Sequence, residues 1–132
     1  MAAWLDLLED AASVRSIYND QSPALDPIRL HEISLHTDGG RATLRFDLPE
    51  YPESPPKKWR LQGFNTVQVE LMLIEIRELS LRGWNSAIDG RMSLARESDG
   101  VRVTMSTDSV RIDIKAAWAT VVKVAAYLSE EK

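Results

Sequence analysis

The side chains able to do chemistry are few, and their spacing works against it. Only two imidazoles occur, His31 and His36, in a stretch that alternates like a strand. They stand five residues apart, and an odd spacing sends strand side chains to opposite faces unless a bulge intervenes. They are not expected to share a metal ion or a proton, and neither has a carboxylate or hydroxyl partner recognisable in sequence for general acid–base work. Cysteine is absent, which removes a disulfide framework, a thiolate zinc site and a cysteine nucleophile together. No Gly-x-Ser-x-Gly turn presents a serine, and Gly39-Gly40 lacks the glycine, lysine and hydroxyl that would complete a phosphate cradle. Carboxylates remain: Asp6 with Asp10, Glu50 with Glu53, and Glu70 with Glu75 could converge as glycoside hydrolysis requires. Acids on helix flanks and strand exteriors are more often solvated faces, so the expectation is a protein that is not an enzyme and needs no metal or cofactor.

Binding has better material. Between Asp47 and Pro56 the chain carries Pro49, Pro52, Pro55 and Pro56, which deny backbone donors to any ladder and push the chain out of a sheet. Tyr51 and Trp59 stand near Glu50, Glu53, Lys57 and Lys58, a mixture enriched where proteins grip other proteins. Glu50, Tyr51, Glu53 and Trp59 are therefore the candidate partner-binding residues. The competing role for Trp59 is to cap the core while the prolines stiffen the crossing.

The elements that must position this loop are mostly strands. Near the start, Trp4, Leu7, Leu8, Ala11, Val14 and Tyr18 fall at helical spacing, which predicts an amphipathic helix ended by Asn19-Asp20-Gln21-Ser22-Pro23. From Ile28 the period becomes two: Ile33 and Leu35 share a face, Asp38-Gly39-Gly40 turns the chain, and Ala42, Leu44, Phe46 and Leu48 return. A long apolar run from Phe64 through Leu81 exceeds one undistorted strand, and Leu71-Met72-Leu73-Ile74 breaks its alternation, so a bulge or sharp bend is expected near Glu75 to Glu78. Asp89-Gly90 opens a further unit containing Met92 and Leu94. Asp99-Gly100 turns it into Val101, Val103 and Met105, and Thr107-Asp108-Ser109 turns again into Val110, Ile112 and Ile114. Ala116 to Leu128 carries both signals, alanines for helix and Thr120, Val121, Val122 and Val124 for strand, and the reading leans to a final strand ahead of a frayed Ser129 to Lys132. The fold class is α+β, an N-terminal helix packed on a curved, mainly antiparallel sheet of about seven or eight strands, a meander that could close like a barrel.

The 132 residues suit a single domain spanning 1–132, with 44% apolar and 27% charged side chains, which excludes disorder and fibrous repeats. A net charge of -4 repels a phosphate backbone, so nucleic acid is not an expected partner. The first residues develop no secretory signal, and no segment reaches the length of a membrane span, so no membrane partner is expected and the compartment expected is the cytoplasm.

Trp4, the strand pair Glu32-Ile33-Ser34-Leu35 and Thr43-Leu44-Arg45-Phe46, the block Pro55-Pro56-Lys57-Lys58-Trp59, Phe64-Asn65-Thr66-Val67, and Gly83-Trp84 follow one another in a recognisable order. In these residues, over nearly the whole chain, the protein resembles the immunity protein 50 family of bacterial polymorphic toxin systems. The resemblance implies a protein that binds a cognate toxin and blocks it stoichiometrically by covering an active site or an essential surface; it implies no catalytic residues. Two readings stand beside it: a small-molecule-binding β-sheet module with an apolar cavity, and an enzyme with paired carboxylates. An exposed sheet edge would also permit a homo-oligomer.

Overall fold

The computed structural model describes residues 3–130, so Glu131 and Lys132 of the terminus expected to fray lie outside the described residues. Six strands are present among them: β1 Ile28–His36, β2 Arg41–Asp47, β3 Thr66–Arg82, β4 Ile88–Glu97, β5 Gly100–Ser106 and β6 Arg111–Tyr127. They form an antiparallel sheet in the order β1-β2-β3-β6-β5-β4, and the ring closes where Ile88 to Gly90 of β4 pair back onto Ile28 to Leu30 of β1. The first hairpin turns through Thr37 to Gly40, with Gly39 at φ 76° and Gly40 at φ 57°, a backbone that side chains with a Cβ resist. Its register places Ile33 opposite Leu44 and Leu35 opposite Ala42, so the alternating apolar residues share one face, on which Ala42 and Leu44 are buried, Ile33 is half-buried and Leu35 is exposed.

The strand count is six, below the seven or eight expected, because the last two predicted strands are one. β6 runs 17 residues without interruption and includes the ambiguous segment, whose Val121 and Val124 pair opposite Leu71 and Val69. No turn-forming residue separates Ile114 from Ala117, and β-branched side chains pack well on the pleated surface that β3 offers. β3 is equally long, and its irregularity falls in the predicted stretch: Glu75 adopts φ 62°, and Arg77 has no β6 partner between the pairs Ile76 with Ala116 and Glu78 with Lys115.

The N-terminal helix is also corrected. Trp4–Leu7 forms a 3-10 turn, Leu8 is extended, and only Ala12–Ile17 is α-helical (α1). The cause is tertiary: beyond Ala116, β6 has no β5 partner, and the Glu9-Asp10 segment takes that edge. Glu9 N–H donates to the Ala119 carbonyl at 2.7 Å, and Val121 N–H donates to the Asp10 carbonyl at 3.1 Å. Two ladder bonds and a covered edge outweigh the weak preference of a short helix.

Inward-facing Leu44, Phe46, Val69, Leu71, Val103 and Ile114 are each at most 1% exposed and fill the ring. One end is plugged by Trp4, Leu5, Leu7 and Val14, with the Trp4 indole N–H bonded to the Pro23 carbonyl at 2.8 Å. At the other end Ile33 and Leu35 face Leu79, Leu81, Ile112 and Ile114 across a gap of about 10 Å³, room for at most one water molecule. The interior there is side chains, not a ligand chamber.

Candidate functional site

The segment leaving β2 is tied down before it reaches solvent. Leu48, fully buried, donates its N–H to the Val67 carbonyl at 2.9 Å, so the crossing to β3 starts from the core. Two residues on, Tyr18 donates its hydroxyl to the Glu50 carbonyl at 2.7 Å, and the Glu50 carboxylate accepts the Ala24 N–H at 2.7 Å. Burial, followed by the neighbouring Glu50 charge, pushes the Tyr18 phenol well above its ordinary range. The prolines that exclude this segment from the sheet also let it lie against the Asn19 to Pro23 turn, and the two enclose a polar cleft of about 250 Å³.

A second short helix, α2 (Lys57–Leu61), follows Pro56 and presents Trp59. The Tyr51 and Trp59 rings lie 6.4 Å apart and tilted by 41°, both half-buried and packed against the core cluster. The Tyr51 hydroxyl is buried without a hydrogen-bond partner among the described residues, and desolvation raises its pKa. Of the four predicted contact residues, Glu50, Tyr51 and Trp59 are thus partly occupied in holding the segment. Glu53 is exposed at the cleft rim, with no ion pair or hydrogen bond among the described residues.

Sequence reasoning missed one polar cluster. Asp47, at the end of β2 and 6% exposed, accepts from Gln68 at 3.0 Å on Oδ1, while Oδ2 meets the Tyr127 hydroxyl and His31 Nε2, the latter at 2.8 Å. His31 occupies the bulge between Leu30 and Glu32, the interruption that frees it from simple alternation. Tyr127 lies 80 residues from Asp47, so no local spacing could have joined them. The Tyr127 phenol is pushed up to about 12, by burial first and then by its bond to Asp47. With both oxygens already engaged, the Asp47 carboxylate ties four strands together. His36 ends β1, about 16 Å along the strand from His31 at ordinary rise. Among the described residues no group of three or more His, Asp or Glu could hold a metal ion.

Several of the acids are partnered too, although Glu53 and Glu70 have no ion pair or side-chain hydrogen bond among the described residues. Asp6 pairs with Arg15 at 2.6 Å, and Asp10 accepts the Ala12 N–H at 3.0 Å at the start of α1. Glu75 pairs with Arg77 at 3.2 Å. Arg102 bridges Glu97, Asp113 and Glu78 at 2.9, 2.6 and 3.0 Å, while Lys115 reaches Asp99 at 3.1 Å. The Arg102 guanidinium holds Glu97, and the Lys115 ammonium holds Asp99, below the usual carboxylate range. Glu75, Glu97 and Asp99 line one cleft together with Trp118, whose ring is 52% exposed. No helix among the described residues is long and apolar enough to cross a membrane.

A family model described as immunity protein 50 matches residues 10–127. No curated protein and no solved structure matches the chain. The family match takes in every strand, the proline segment and the aromatic pair, and the chain belongs to the immunity protein 50 family.

Proposed function

We propose that this protein is an immunity protein that binds a cognate bacterial toxin and neutralises it by stoichiometric protein–protein inhibition, with residues 1–132 acting as one domain in the cytoplasm. The observation that carries the reading is family membership across residues 10–127. It is supported by a surface equipped for contact and by carboxylates already engaged in ion pairs.

The contact assigned is the proline segment. Glu50 and the Tyr51–Trp59 pair shape it, and Glu53 projects from its rim as a charge with no ion pair or hydrogen bond among the described residues. A preformed ledge with a free acid suits a basic toxin surface, because little side-chain order is lost on docking and the net charge of -4 favours encounter. The test is capture of the partner from the native host, followed by affinity measurement with Glu53→Arg and Tyr51→Ala. Glu53→Arg is expected to weaken binding by about tenfold or more while the far-ultraviolet circular dichroism is unchanged. Recovery of no toxin, or unchanged affinity for both variants, would sink the assignment.

A further inference from the structure

Over its last six residues β3 leaves one edge unused. β2 covers β3 only from Gln68 to Leu73, and a single further bond, Ile76 N–H to the Gly40 carbonyl at 2.8 Å, ends that contact. From Glu78 to Arg82 the strand pairs with β6 alone, Arg77 is bulged out of that pairing, and all six residues from Arg77 to Arg82 are exposed. No other backbone hydrogen bond reaches this edge among the described residues. Such an edge is a template for another strand.

The pairing with β6 fixes the faces. Leu79 and Leu81 lie opposite the buried Ile114 and Ile112 and share their apolar face, yet remain 42% and 41% exposed. Glu78, Ser80 and Arg82 occupy the outer face by alternation. Placed antiparallel to itself about Ser80, the segment sets Leu79 opposite Leu81 of a second copy and Glu78 opposite its Arg82, twice over by symmetry. Centring instead on Leu79 or Leu81 sets Glu78 opposite Ser80 or Trp84 and loses both charge pairs. Arg82 has no ion pair among the described residues, and Glu78 engages Arg102 through Oε2 only, which leaves its Oε1 to accept from the partner's arginine. Leu35 and Trp84, 52% and 61% exposed, add apolar area near the same end.

We propose that the chain self-associates as a two-fold dimer through antiparallel pairing of the β3 edge over Glu78 to Arg82, independently of toxin binding. Five residues on each side cover less than the roughly 1,600 Å² of a standard interface, so the association expected is weak, with a dissociation constant of about micromolar or above.

Sedimentation equilibrium of the full chain, from micromolar to submillimolar concentration, tests this. The native chain is expected to show a monomer–dimer equilibrium. Arg82→Glu, which faces Glu78 at both symmetry-related contacts, should weaken it by about tenfold or more. The double variant Glu78→Arg with Arg82→Glu should return it to within about threefold, with thermal melting confirming that each variant is folded. A native chain that stays monomeric throughout, or an Arg82→Glu variant that associates as tightly as the native chain, overturns the proposal. A double variant as weak as the single one overturns the Ser80-centred register.

Discussion

At one end of the barrel the chain covers its own loose edges, and at the other it does not. The Glu9-Asp10 segment occupies the β6 edge that β5 abandons, Trp4, Leu5 and Leu7 seal the core, and Tyr18 staples the proline segment across the opening. At the far end, β3 and β6 run past the first hairpin as a ribbon with Leu79 and Leu81 half in water. Similar apolar alternation therefore has different consequences: where a second layer covers it, it contributes stability, and where nothing does, it leaves surface available to another chain.

The largest effect that can break this comparison is at the plug. Leu5, 1% exposed, should cost about 3 kcal/mol when changed to alanine, whereas Leu81→Ala at the open end should cost under about 0.5 kcal/mol in urea unfolding. Equal losses would mean the two ends are not energetically distinct. Next comes Gly83, where β3 leaves the ribbon at φ 76°; an added Cβ would sit 1.9 Å from the Ser109 carbonyl oxygen. Gly83→Ala should destabilise by about 2 kcal/mol, and a neutral result would show that the open ribbon yields as a covered end could not.

Asp47→Ala follows, at about 1–2 kcal/mol, since it strips Tyr127, His31 and Gln68 of a buried acceptor. Alkaline melting probes the same cluster. The Tyr127 pKa is raised to about 12 when folded, against about 10 for a free phenol, so the folded state holds the proton more tightly. Its stabilisation is complete below about pH 10 and is lost as pH rises through about 12. Tyr127→Phe should flatten part of that decline; an unchanged alkaline profile would detach Tyr127 from the covered end. The smallest effect on stability is expected at Glu53, where reversal to arginine should stay within about 0.5 kcal/mol, so that any loss of partner binding reads recognition alone.

Much of the fold was legible because its signals are local. The turn at Asp38-Gly39-Gly40, the turns after β4 and β5, and the irregularity at Glu75 to Glu78 each follow from residues within a few positions of one another. The proline segment was legible as an exit from the sheet, and its aromatic pair as a unit, but the attachment of Glu50 to Ala24 was not, since those residues are 26 apart. His31 showed no carboxylate in sequence because its partner arrives on the next strand, through a bulge.

The amino-acid sequence by itself determined which faces are apolar, where the chain must turn, and that neither cysteine chemistry nor a recognisable catalytic motif is available, because alternation and side-chain inventory act over a few residues. Only the tertiary structure decided that residues 4–18 would surrender most of their helix to the β6 edge, that β6 would run as one strand from Arg111 to Tyr127, and that Asp47 would gather His31, Gln68 and Tyr127. Those outcomes depend on which backbone edges remain unpaired once the ring closes, and buried donors and acceptors must then find partners wherever in the chain they lie.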